Sequence, residues 1–252
     1  MKKQYYIIFI TAGLLLFLTS CVSSKKVVYF QDNDTPISKE ILQNFEPTIR
    51  PDDLLTINIA TINAEAALPF NLYEGAQGSG NSKPLSYLVN KNGEIDFPVI
   101  GTLKVAGFTT KALSERIKTV LKEYLIKPTV NIRLVNFKVT ILGDVKSPGS
   151  YTIPSERITI IEALGLAGDL QLQGNRKTVL LVRETAGERM YVTIDLTNKK
   201  LFSSPYYYLA QNDVLYVEPN KAKINSSGVG SNTGVVISSI SILITLVALL
   251  IK

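Results

Sequence analysis

ILGDVKSPGSYTI, residues 141–153, reads as two strands around a turn. Val139, Ile141, Gly143 and Val145 alternate onto one face, Lys146-Ser147-Pro148-Gly149 has turn chemistry, and Tyr151 and Ile153 resume the alternation. Further on, Thr159-Ile160-Ile161-Glu162 has the spacing of a capping box, which satisfies two free N–H groups at a helix start. Gly168 suits the end of that helix. Strands are expected at Val179–Arg183, Met190–Ile194 and Val214–Val217.

Strand, strand, helix, then several strands is the order of a β-grasp unit, here over residues 137–220. A different α+β unit precedes it, over 45–136. The turn Arg50-Pro51-Asp52-Asp53 introduces a strand in which Leu55, Ile57 and Ile59 face one way and Thr56 and Asn58 the other. Residues 75–84 (GAQGSGNSKP) read as a polar loop. Tyr87 and Val89 lead to Asn90-Lys91-Asn92-Gly93, a hairpin signal, and then to Ile95 and Phe97. Residues 98–107 read as a turn and one more short strand. Thr109 is placed to cap a helix carrying Leu113, Ile117, Val120, Leu121 and Tyr124, stopped by Lys127-Pro128. Val130, Ile132 and Leu134 form the next strand.

Working outward to the N-terminus, Lys2 and Lys3 precede an apolar run from Ile7 to Leu18, too short to cross about 30 Å of hydrocarbon. This is the layout of a secretory signal over residues 1–20. It closes on Leu18-Thr19-Ser20-Cys21, which resembles the lipobox of bacterial lipoproteins. The resemblance implies cleavage before Cys21 and acylation of its thiol and new amine. The plainer alternative is an ordinary signal with an incidental cysteine. Two or three acyl chains hold a protein stably at a membrane. Residues 21–44 then serve as a linker. No acidic cluster follows Cys21 in Val22-Ser23-Ser24-Lys25-Lys26, which favours a periplasm-facing body.

Composition excludes several chemistries. There is one cysteine and no histidine, so no disulfide framework, Ser-His-Asp triad or histidine-based metal site is available. No cofactor is expected beyond the lipid on Cys21. Without Lys2 and Lys3, 25 basic side chains face 21 acidic ones, and no long basic run argues for nucleic acid.

At the C-terminus, residues 235–251 carry no charge and Lys252 closes the run. As a helix they rise about 25 Å, the short limit for a membrane span. Ser238, Ser241 and Thr245 share one face, and Ser239 lies off it. In one reading the segment is a single anchor whose hydroxyls bond back to helix carbonyls. In the other, several copies turn the small hydroxyl face inward. Residues 221–234, with Asn225-Ser226-Ser227-Gly228 at their centre, read as a flexible linker.

Asn92-Gly93-Glu94-Ile95-Asp96-Phe97-Pro98-Val99-Ile100-Gly101, the Gly107-Phe108-Thr109 helix start and the Tyr124–Val130 stretch together resemble the polysaccharide export domain of outer-membrane auxiliary lipoproteins of the Wza type. The 141–151 stretch, the Thr159–Leu164 helix with Ala167-Gly168, and Asn212-Asp213-Val214-Leu215-Tyr216-Val217 resemble the soluble ligand-binding β-grasp (SLBB) domain attached to it. The resemblance covers roughly residues 45–220. Two turns depart from it. Pro51-Asp52-Asp53 stands where the family has Pro-Gly-Asp, and Asn212-Asp213 where it has Gly-Asp. Asp and Asn tolerate left-handed backbone, so both turns are expected to survive. Only one β-grasp unit is evident, where longer members carry two.

The resemblance implies a function. A ring of about eight copies would export capsular or extracellular polysaccharide, with the lipid anchor in the outer membrane and the soluble body in the periplasm. A C-terminal transmembrane helix would line the pore with Ser238, Ser241 and Thr245, and an inner-membrane co-polymerase would be a partner. The alternative is a non-pore periplasmic lipoprotein whose β-grasp domain binds sugar or a partner of the export machinery. Tyr206, Tyr207 and Tyr208 could stack on sugar rings, or pack in an interface. An enzyme would need paired carboxylates in a cleft, and Asp52/Asp53 and Glu94/Asp96 read better as turn and strand-edge residues.

Overall fold

The computed structural model describes residues 27–31, 45–74, 83–185, 187–228 and 233–250. Cys21 and its flanking signal lie outside the described residues.

The first unit is built on strand β1 (Leu54–Ala60), whose alternation buries Leu55, Ile57 and Ile59. It pairs antiparallel with β7 (Thr129–Leu134) along its full length, and on its other edge with the short β4 (Tyr87–Leu88). Between them run a four-residue helix α1 (Ala64–Ala67) and the two-residue strands β2 (Tyr73–Glu74) and β3 (Lys83–Pro84), which pair with each other. Helix α2 (Thr110–Leu121) is capped by the Thr109 hydroxyl, which accepts from Ala112 N at 3.2 Å, and buries Leu113, Ile117 and Leu121. It ends earlier than the apolar spacing suggests. Tyr124 lies beyond it and is exposed; Leu125, one residue on, fills the core instead.

The Asn90–Gly93 turn forms, with Asn90 Oδ1 accepting from Glu94 N at 2.9 Å, yet its flanking segments do not make the expected hairpin ladder. Strand β4 belongs to β1, while β5 (Glu94–Phe97) pairs with β6 (Gly101–Lys104) across Pro98–Ile100. Pairing β5 with β6 lets Ile95, Phe97 and Leu103 reach the same core as Leu55. Core burial, rather than the local turn, selects the register.

The second unit is a five-stranded sheet in the order β11-β10-β12-β8-β9. Its strands are β8 (Lys138–Gly143), β9 (Gly149–Thr152), β10 (Gly174–Thr185), β11 (Glu188–Ile194) and β12 (Val214–Pro219). Strand β12 lies parallel to β8, and every other pair is antiparallel. Helix α3 (Ile160–Leu166) has the full capping box, with Thr159 Oγ1 accepting from Glu162 N and the Glu162 carboxylate accepting from Thr159 N at 2.7 Å. It buries Ile160, Ala163 and Leu164 against Val139, Ile141, Leu181 and Leu215. Strand β10 is much longer than the expected Val179–Arg183 and carries an irregularity between Gly174 and Val179.

Gly143 decides how β8 meets β12. It has φ +88°, and a Cβ there would lie 2.0 Å from the Val217 carbonyl oxygen. The close approach lets the next residue's N–H, Asp144 N, donate to that same oxygen at 2.9 Å. The two departures from the family turns also take left-handed backbone: Asp52 has φ +69° and Asn212 φ +63°.

The C-terminal end differs from the linker reading. Residues Lys221–Gly228 form helix α4, capped by Asn220, whose Oδ1 accepts from Lys223 N at 3.0 Å. Helix α5 covers Thr233–Leu250, eighteen residues or about 27 Å. Among the described residues no helix is long and apolar enough to cross a membrane, so the transmembrane helix expected over 235–251 is not supported by the structure. The rise falls short of a typical hydrocarbon core, and three serines and a threonine interrupt the described aliphatic surface.

Candidate functional site

The two units meet where β7 runs into β8. Leu134 packs against both cores. Asn136, in the connection, accepts from Leu54 N through Oδ1 (2.9 Å) and donates through Nδ2 to the Asp52 carbonyl (3.0 Å). Gln211, from the turn before β12, donates to the Asn136 carbonyl and accepts from Lys138 N, both at 2.8 Å. An asparagine and a glutamine thus satisfy backbone groups on both sides of the boundary, which restrains rotation between the units.

Behind this seam lies a cavity of about 250 Å³ lined by Phe45, Glu46, Pro47, Thr48, Arg50, Asp53, Leu134, Phe137, Arg183, Ala210 and Gln211. Asp53 is buried and accepts from Arg50 N at 2.8 Å. Burial pushes its carboxyl pKa up; the backbone hydrogen bond and the charge of Arg50 oppose this. Arg183 forks onto Asp213 and also donates through Nη2 to the Tyr208 carbonyl at 3.0 Å. Among the described residues the Arg50 guanidinium makes one long hydrogen bond, Nη1 to the Glu184 carbonyl at 3.4 Å, which ties the first unit to β10.

The three tyrosines between β11 and β12 are engaged by the protein itself. Tyr208 stacks on Phe45 with ring centroids 4.9 Å apart and planes at 9°, and Arg157 lies over its ring at 5.5 Å. Tyr207 packs against the β-grasp core and edge-on to Phe202, and desolvation raises its hydroxyl pKa. Arg183 lies 5.8 Å from the Tyr206 centroid. The Phe45 stack takes up one Tyr208 ring face that sugar stacking would use.

A segment with no evident pattern in the sequence supplies a third feature. Tyr29, Phe30 and Gln31 dock on the second unit. Gln31 N donates to the Thr197 carbonyl at 2.8 Å, Tyr29 Oη donates to Asp169 at 2.5 Å, and the Phe30 ring meets Phe202 at 4.9 Å. Arg176 lies 5.3 Å over the Tyr29 ring. Burial, then the bond to Asp169, raises the Tyr29 pKa well above its ordinary value. Phe30 takes φ +52°, an uncommon backbone for a bulky residue, held by these contacts. At the other end, Lys223 of α4 pairs with the buried Asp144 carboxylate.

On α5, Ser238, Ser241 and Thr245 share a face, as the spacing requires. Their hydroxyls donate to the carbonyls four residues back, at 2.6, 2.9 and 2.7 Å, and Ser239 does the same at 2.7 Å. Among the described residues no cluster of three or more His, Cys, Asp or Glu could hold a metal. Asp52 is an exposed turn residue, while Asp96 accepts from the Thr102 hydroxyl at 3.1 Å across β5 and β6.

The comparisons with known proteins follow this division. The family model of polysaccharide biosynthesis/export proteins matches residues 43–135, and that of the SLBB domain matches 138–193. Residues 138–193 thus belong with the SLBB domains, and residues 43–135 with the polysaccharide export family. It is a family of export proteins, not of enzymes. Similar proteins include the EPS I polysaccharide export outer membrane protein EpsA of Ralstonia solanacearum, 26% identical over 153 residues, 59% of this chain and 40% of that one. EpsA of Ralstonia nicotianae is 30% identical over 115 residues, 44% of this chain and 30% of the relative. The matches therefore span less than half the length of these relatives.

Proposed function

We propose that this protein exports capsular or extracellular polysaccharide as an outer-membrane lipoprotein, and that its copies assemble into the channel. The observation that carries the assembly is the state of α5. Its described aliphatic residues Val235, Ile237, Ile242, Leu243 and Ile244 all stay exposed, so these side chains find no cover among the described residues. Lipid or other copies of the helix must supply it. In a ring, the Ser238, Ser241 and Thr245 face would turn to the lumen, because back-bonded hydroxyls keep acceptor capacity for a hydrated polymer without holding a charge.

The lipid on Cys21 is the second anchor, and no cofactor is required. Tyr29 follows Cys21 by eight residues, at most about 28 Å of extended chain, so its docking would hold the β-grasp unit near the membrane. An inner-membrane co-polymerase would deliver the polymer to the periplasmic side. The hydroxyls' internal bonds and the helix's short length favour the second reading, a tethered, non-pore lipoprotein.

Native mass in mild detergent separates the two. Full-length protein is expected as a ring of about eight, weakened when the chain ends at Lys221. A monomer at all concentrations would remove the channel and leave the tethered module. Mass spectrometry of the mature N-terminus tests acylation of Cys21.

A further inference from the structure

The cavity between the two units contains polar groups that the fold leaves unused. Arg183 spends Nε and Nη2 on Asp213 and the Tyr208 carbonyl, while its Nη1 makes no hydrogen bond among the described residues. Arg50 has only the 3.4 Å contact from Nη1, so Nε and Nη2 are free among the described residues. Among the described residues Asp53 accepts through Oδ2 alone, and Glu46 accepts nothing. Two guanidinium groups and two carboxylates with spare capacity therefore line one space, with the apolar Phe45 and Phe137 beside them.

The charge balance decides the ligand class. Asp213 neutralises Arg183, and Arg50 shares the lining with the carboxylates of Asp53 and Glu46, so the lining carries no net positive charge to attract an anion. Free donors and free acceptors in the same space instead suit hydroxyl groups, each of which donates and accepts at once. Guanidinium and carboxylate forks match the spacing of two adjacent hydroxyls on a sugar ring, and an apolar wall suits the ring's C–H face. A space of about 250 Å³ is on the scale of a single sugar ring. Ligand pockets in general occur preferentially at domain interfaces.

We propose that this inter-unit cavity binds an uncharged, hydroxyl-rich sugar residue of the exported polymer. The proposal rests on the export reading and gives it a contact point away from Tyr206, Tyr207 and Tyr208.

The test is calorimetric titration of the full-length protein with short oligosaccharides cut from the polymer its own bacterium exports, separated into neutral and acidic fractions. Neutral oligosaccharides are expected to bind. Arg50→Ala is expected to weaken binding at least about ten-fold through loss of a charge-assisted hydrogen bond. Tyr191→Ala, on the exposed outer face of β11, serves as the control and should bind as the native protein does. Unchanged affinity in Arg50→Ala, or binding of the acidic fraction alone, would overturn the assignment. If neither fraction binds while deleting the gene abolishes export, the cavity proposal falls and the export reading stands. If export persists without the gene, the export reading falls first.

Discussion

Arg183 grips Asp213 with two donors, Nε at 2.9 Å from Oδ1 and Nη2 at 2.6 Å from Oδ2, with the carboxylate fully buried and the guanidinium side chain 11% exposed. Asp213 also accepts from Ala210 N at 2.7 Å, closing the turn before β12. Residues thirty apart in sequence thus join β10 to the turn that enters β12. Asp213→Ala leaves a buried cation and an open turn, and is expected to cost about 3–5 kcal/mol in urea unfolding. A paired replacement, Arg183→Met with Asp213→Leu, should recover much of that loss. An equal loss in both would show that the turn bond, not the charge, carries the effect.

Gly143→Ala should be among the most damaging single-methyl additions. The added carbon would meet the Val217 carbonyl at 2.0 Å, and backbone cannot yield as a flexible side chain can. Parting β8 from β12 would break the one parallel pair of the sheet. A loss of about 3 kcal/mol or more is expected, read as a lower urea midpoint. Gly101→Ala, with nothing within 4 Å and a similar positive φ, isolates the cost of backbone strain alone.

Tyr87→Phe is expected to stabilise the export unit by about 1 kcal/mol. The Tyr87 hydroxyl is buried with no hydrogen-bond partner among the described residues, while its ring stacks on Phe97 at 5.7 Å, a contact phenylalanine keeps. Desolvation pushes its pKa up to about 12 from 10.0. The folded state therefore holds the proton more tightly than the unfolded one. That contribution is full below pH 10 and is lost as pH rises toward 12. Thermal melts of the two proteins should diverge further across that window, with the phenylalanine variant falling less.

Asp52→Gly and Asn212→Gly test the two turn departures. Both residues sit at positive φ, 69° and 63°, where glycine carries no side-chain penalty. Asp and Asn already tolerate this region, and glycine adds chain entropy to the unfolded state. Each change should thus raise stability by no more than about 1 kcal/mol. A loss above that would mean that the side chain itself supports the turn.

Much of the architecture follows from local pattern. Leu55, Ile57 and Ile59 alternate and are buried; Thr159 and Glu162 have capping spacing and form the box; Gly168 takes φ +73° after α3. These depend on side-chain period and on hydrogen bonds between near neighbours, which composition and spacing encode directly. The run at Lys221–Gly228 shows the limit of that logic: composition reads as linker, yet Asn220 caps a helix and Lys223 reaches Asp144.

Partner choice across long separations came only from tertiary structure. The Asn90–Gly93 turn was legible, but β5 joins β6 because that register puts Ile95 and Phe97 in the core. Tyr206, Tyr207 and Tyr208 were visible as an aromatic run, but their neighbours Phe45, Arg157, Arg183 and Phe202 are distant in sequence or set by the local fold. The docking of Tyr29 on Asp169, 140 residues away, and the cavity between the units left no periodic signal at all. Period and capping are properties of a few consecutive residues, whereas a site between units exists only after two separately folded cores have been brought together.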